Sequence, residues 1–170
     1  MKKIIFTMYL GLLMLGCKKE KVMENTVISA AMDVSFVNCS GENLLNPKTG
    51  NYLTANDIET FVIRGGVKTR VFYPNLESPK MFWIGTDGTG GPYILTLYFD
   101  LDKDSFQDNK VVMFLKYKDG GEDKFTAEFN SDRSDNYKVA KKIWHNDVQI
   151  WETKDATIPH VTIKKGSCAN

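Results

Sequence analysis

The sequence predicts an all-β fold, and three observations carry that prediction. Apolar and polar residues alternate in stretches rich in β-branched and aromatic side chains, as in YILTLYF (93–99), VVMFLKY (111–117) and KFTAEF (124–129). Turn signals stand between such stretches: Gly65-Gly66, Asp119-Gly120-Gly121-Glu122 and Asn146-Asp147. Beyond the apolar run at the N-terminus, no segment of useful length shows the 3.6-residue period of an amphipathic helix.

Lys2 and Lys3 precede an apolar segment from Ile4 to Leu15. That run is too short for the roughly 20 residues a membrane-crossing helix needs, and it reads as the hydrophobic region of an export signal. Residues 1–16 are therefore set apart as a signal helix, and residues 17–32 as a polar tether. The tether holds a few apolar residues and is expected to be poorly ordered or helical in part. Residues 33–170 form one domain of ordinary size, large enough to bury roughly 70% of its unfolded surface.

Within that domain the first strand is expected at Asp33–Asn38, where Val34 and Phe36 alternate with Ser35 and Val37. A long loop follows from Ser40 to Asp57, with turns marked by Asn46-Pro47 and Thr49-Gly50. Glu59–Arg64 and Val67–Tyr73 make a hairpin about Gly65-Gly66, a pair that tolerates the positive φ of the primed turns. Pro74 and Pro79 make the next stretch a connection or an edge before a strand at Lys80–Gly85.

The cluster Asp87–Gly91, DGTGG, is a turn before a strand at Tyr93–Asp100. Val111–Tyr117 and Lys124–Asn130 form a second hairpin, and KVAKKIWHNDVQIWE (138–152) a third with Asn146-Asp147 at its tip. His160–Lys164 closes the chain's pattern. About eight or nine strands, mostly joined as hairpins, predict a single antiparallel β-sandwich, immunoglobulin-like or related. No internal repeat is visible, which argues against a propeller or solenoid.

The sequence LMLGC (13–17) resembles the lipobox of bacterial lipoproteins, with an apolar residue three before the cysteine and a small one directly before it. The resemblance implies a diacylglyceryl group on the Cys17 sulfur, cleavage between Gly16 and Cys17 by signal peptidase II, and acylation of the new terminus, palmitate being the usual label. Anchoring follows physically, because each buried methylene contributes about 0.8 kcal/mol and more than one chain gives stable attachment. The partner so implied is a membrane, reached through Cys17.

The segments LLNPKTGNYLTANDIETF, VFYPNL, FLKYKDGGEDKFTAEF and IWHNDVQIW resemble small uncharacterised all-β lipoproteins of Bacteroidota. That likeness brings no activity with it. Lys18 after the cysteine resembles lipoproteins sent to the outer membrane of the cell envelope. The mostly basic CKKEK favours its periplasmic face over the cell surface.

With Cys17 assigned to lipid, Cys39 and Cys168 are left as a possible disulfide closing nearly the whole domain. On chain-entropy grounds it would stabilise by up to about 4–5 kcal/mol. Two independent buried thiols are the alternative.

Chemistry-bearing motifs are sparse. Asp100, Asp102 and Asp104, with Asp108 nearby, offer oxygens of the kind Ca²⁺ takes, but the EF-hand glycine falls at Ser105 and the bidentate glutamate at Val111. The three aspartates are weak metal candidates, and no cofactor is expected. There is no G-x-S-x-G elbow, and two isolated histidines, His145 and His160, fall short of a zinc set. His145 precedes a hairpin tip, where exposure is expected.

A net charge of +1 with interspersed signs gives no basic stripe and argues against nucleic acid as a partner. Trp83, Trp144 and Trp151 are candidate binding aromatics for a protein or a glycan, although alternation turns about half of such residues to the core. The function expected is a membrane-anchored envelope lipoprotein acting as a binding, assembly or structural module, not an enzyme. The alternative is an envelope hydrolase with paired carboxylates.

Overall fold

A computed structural model describes residues 27–86, 88, 90–130, 137–153 and 157–166. The elements in chain order are β1 (Val27–Ser29), β2 (Ala31–Val37), β3 (Ile58–Arg64), β4 (Val67–Arg70), β5 (Phe82–Gly85), β6 (Ile94–Tyr98), β7 (Lys110–Tyr117), β8 (Glu122–Phe129), β9 (Tyr137–His145), β10 (Val148–Glu152) and β11 (His160–Lys164). A 3-10 turn at Ala55–Asp57, capped by Thr54, leads into β3. No helix among the described residues is long and apolar enough to cross a membrane.

The strands make two packed sheets. One has seven strands in the order β1-β9-β8-β7-β3-β4, with β10 also paired to β9; the other has four in the order β11-β2-β6-β5. The all-β, sandwich-like expectation holds, with three differences. There are 11 strands among the described residues, more than the eight or nine expected. Both sheets are mixed, because β1 runs parallel to β9 and β11 parallel to β2. Strand structure is present before residue 33, since β1 and the first two residues of β2 fall within the expected tether.

Each difference has a physical reason. A three-residue strand, VIS, is too short to display alternation, and it forms because β9 offers an edge beyond the reach of β10. Parallel partners are joined by long connections and leave no local turn signal in the sequence. At Ala30 the chain passes from one sheet to the other, and the Ala30 carbonyl accepts the Phe99 N–H at 2.7 Å.

The hairpins follow their turn chemistry. Gly65 and Gly66 have φ of 52° and 81°, and Asn146 and Asp147 have φ of 48° and 67°, the left-handed pair that a type I′ turn requires. A further tight turn at Asp108-Asn109, with φ of 49° and 61°, starts β7.

Between the sheets lies the core. Met32, Val34 and Phe36 of β2, with Leu95 and Leu97 of β6, face Ile58 and Val62 of β3, Val111, Met113 and Leu115 of β7, and Phe125 and Ala127 of β8. All are buried. Phe36 meets Tyr117 edge-on at 6.0 Å between ring centroids.

Candidate functional site: an outer sheet face and two buried ion clusters

Alternation decides what each sheet shows to solvent. In the four-stranded sheet Trp83 of β5 pairs with Thr96 of β6, Thr96 with Asp33 of β2, and Asp33 with His160 of β11. One residue from each strand thus forms a continuous outward row. The Thr96 hydroxyl donates to Asp33 Oδ1 at 2.7 Å, and the His160 ring and the Ser35 hydroxyl lie 3.2 Å apart.

Trp83 is 43% exposed, and its indole lies across Gly85, where a Cβ would meet two ring carbons at 2.1 Å. The glycine is what lets the ring rest on the sheet. Tyr98, 36% exposed, stands two residues along β6 from Thr96 on the same face.

The other two candidate tryptophans lie elsewhere. Trp144 is opposite Thr126 on the outward side of the seven-stranded sheet, with the Lys110 ammonium 5.2 Å from its ring centroid. Trp151 is opposite the buried Ile143 and packs against the core. The register shift between Gln149 and Trp151 re-aims it. Trp83, Trp144 and Trp151 therefore do not make one platform. Tyr98 joins Trp83 instead.

On the outward side of the seven-stranded sheet, charge covers aromatic surface. Lys68 lies 3.9 Å from the Phe114 centroid and 2.5 Å from Glu122, and Lys110 pairs with Glu128 at 3.3 Å. This is a solvated face with aliphatic stems laid over rings.

Two ionic clusters are buried between the sheets. Tyr117 and Arg64 mark opposite ends of β3's pairing with β7, since Tyr117 pairs with Ile58 at the start of β3 and Arg64 ends it. At one end the Asp123 carboxylate accepts the Tyr117 hydroxyl at 2.6 Å, the His145 Nε2 at 2.9 Å and the Lys165 ammonium. Burial alone would raise the Asp123 pKa, but the bonds from His145, Lys165 and Tyr117 outweigh it and hold the carboxyl well below the usual range. Burial and the adjacent Asp123 charge push the Tyr117 phenol far above its ordinary value. An anion ringed by donors, beside a phenol that stays protonated, ties Lys165, just after β11, to the seven-stranded sheet.

His145 is thus turned inward, with its side chain 19% exposed and its ring stacked on Phe125 at 5.2 Å, contrary to the exposure expected beside a hairpin tip. Its register opposite Phe125 puts it on the core side. His145, Ile150 and the whole of β11 line a groove of about 560 Å³ along the open side of the sandwich.

At the other end Asp100, just after β6, is held by Arg64 at 2.6 Å and by the Ser105 hydroxyl at 2.8 Å, while Arg64 also bonds the Tyr73 hydroxyl. Asp100 and Asp102 accept backbone N–H groups of Asp102 and Asp104. Of the weak calcium candidates Asp100, Asp102 and Asp104, the buried Asp100 carboxylate is drawn to Arg64 and Ser105. Among the described residues no group of three or more His, Cys, Asp or Glu could hold a metal ion.

Cys39, just after β2, is disulfide-bonded. Cys17 and Cys168 lie outside the described residues. Comparison with protein-family models, characterised proteins and solved structures finds no match to this chain.

Proposed function

We propose that this protein is a lipid-anchored binding module of a bacterial cell envelope, held in the outer membrane through Cys17, whose binding surface is the outward face of the four-stranded sheet. The observation that carries this reading is the pairing of two exposed aromatics, Trp83 and Tyr98, with an ordered polar row on a regular sheet. The hydrolase alternative loses support for a specific reason. The two carboxylates buried among the described residues, Asp100 and Asp123, are already engaged by donors, and they stand at opposite ends of β3. A general acid and base would need to face each other across a cleft.

The lipobox supports anchoring, and the basic residues after Cys17 support the periplasmic side. Cys168 is the proposed partner of Cys39. Parallel pairing sets Lys164 opposite Val37, so the chain leaves β11 alongside the segment that carries Cys39.

Radiolabelled palmitate tests the anchor. Label should enter the wild type and be absent from Cys17→Ala, with that variant recovered in the soluble fraction; equal labelling of both refutes the reading. Photo-crosslinkers placed at Thr162 and Ala31 in intact cells test the face, which should capture a discrete ligand there and none from Thr126 on the opposite sheet.

A further inference from the structure

We infer that the outward face of the four-stranded sheet is a glycan platform, on which pyranose rings of a linear β-linked oligosaccharide stack on Trp83 and Tyr98 while Asp33, Thr96 and His160 bond their hydroxyls. The inference rests on the reading of this face as the binding surface and names the class of its ligand.

A pyranose with equatorial hydroxyls presents two apolar C–H faces and a polar rim. A receptor for it needs flat aromatic rings open on one side, with hydrogen-bonding groups at their edges. Trp83 meets the first need. Its ring lies against the backbone at Gly85, and the residue is still 43% exposed. Such a ring is already ordered before binding and loses little freedom when a ligand covers it.

Tyr98 is the diagonal neighbour of Trp83 across β5 and β6, at about 7–8 Å between such positions. The indole leans the opposite way, toward Gly85, so the two rings suit different units of one chain rather than a single sugar.

The polar row completes the face. Thr96 donates to Asp33 Oδ1, which leaves Oδ2 with no protein partner among the described residues. The His160 Nε2 is engaged with Ser35, and its other ring nitrogen points to no described partner. A carboxylate oxygen and an imidazole nitrogen are then available for vicinal hydroxyls. The platform is also regular: β5, β6, β2 and β11 pair without a register shift, whereas the seven-stranded sheet carries two. A regular four-strand surface accommodates a linear chain lying across it.

Other occupants fit less well. Protein interfaces are depleted of charge at their cores, yet Asp33 sits at the middle of this row between Thr96 and His160. Nucleic acid would stack on the same rings, but its phosphates require a basic track, and the Asp33 carboxylate opposes them.

The test uses the full-length lipoprotein in detergent micelles, titrated with cellohexaose, xylohexaose and chitohexaose by calorimetry and tryptophan fluorescence. At least one hexaose should bind with a dissociation constant below about 1 mM. Trp83→Ala should weaken it by about tenfold or more. Gly85→Ala should do the same by displacing the indole, although it removes no group that touches the sugar. Asp33→Asn should weaken binding less, and Trp144→Ala on the other sheet should leave it unchanged.

Melting temperatures identify variants that fail to fold, and Tyr98→Ala then replaces Trp83→Ala as the deciding variant. Absence of binding to all three hexaoses, or an unchanged affinity on loss of Trp83 and Tyr98, overturns the inference. If crosslinks from this face capture a protein while the hexaoses fail, the binding module stands and its glycan ligand falls. If Cys17→Ala keeps its label while the hexaoses bind, the anchor falls and the platform stands.

Discussion

Asp123 accepts hydrogen bonds from a phenol, an imidazole and an ammonium group in a setting that water scarcely reaches. Removing one partner of such a buried arrangement leaves the others uncompensated, so Asp123→Asn should cost about 3–5 kcal/mol at neutral pH. Because the folded pKa is depressed, the stabilisation is fully present above the unfolded carboxyl value of about 3.9 and fades as pH falls below it. Urea denaturation should show the gap between variant and wild type shrinking below about pH 4; a gap constant down to pH 2 contradicts the assignment. Thr60 makes the opposite case, with a buried hydroxyl that has no partner among the described residues. Thr60→Val should stabilise by about 1 kcal/mol and raise the melting temperature by about 2–4 °C, measured by calorimetry. Neither role was legible beforehand. Asp123 is one of 21 acidic residues, and what singles it out is the side of β8 on which it falls, which only the packed register decides.

At the scale of elements, the hairpins were legible and the parallel pairings were not. Alternation and turn residues marked β7, β8, β9 and β10 closely, because both signals are local. The Asn146-Asp147 turn is also held by its own side chain, since Asn146 Oδ1 accepts the Lys124 N–H at 2.9 Å. Asn146→Ala should therefore lose about 1–2 kcal/mol through strain at positive φ and the missing acceptor, whereas Asn146→Gly should lose less; chemical denaturation of the two separates the contributions. On β5 the sequence carries a further signal. Trp83-Ile84-Gly85 places a glycine two residues from a tryptophan on one face, the spacing at which a ring can lie on bare backbone.

Across the whole molecule, ionic struts at opposite ends span the two sheets. Lys165 follows β11 and Asp100 follows β6, so each strut ties a residue just past a strand of the small sheet to the large one. They fix how one sheet sits on the other, while the aliphatic core between them supplies most of the cohesion. The bond at Cys39 adds a covalent constraint beside β2. With Cys168 as its partner the closed loop spans most of the domain, and reduction should lower stability by about 4–5 kcal/mol. Melting curves with and without reductant, set against Cys39→Ser, measure this; a variant as stable as the oxidised wild type refutes the pairing. The all-β class was readable from alternation and turn residues. The division into sheets of seven and four strands was not, because it depends on which distant edges meet.

The parallel pairing of β2 with β11 also bears on how the chain reaches its native state. Ser35 and His160, which touch across that pairing, are separated by 125 residues. Closing so long a loop is entropically costly, and a topology governed by such distant contacts folds on the slow side, in roughly milliseconds to seconds. A chain delivered N-terminus first, from a ribosome or through a translocation pore, holds β2 without its second neighbour until the last strand emerges. Completion of the small sheet, and with it the row from Trp83 to His160, is thus deferred to the end of delivery.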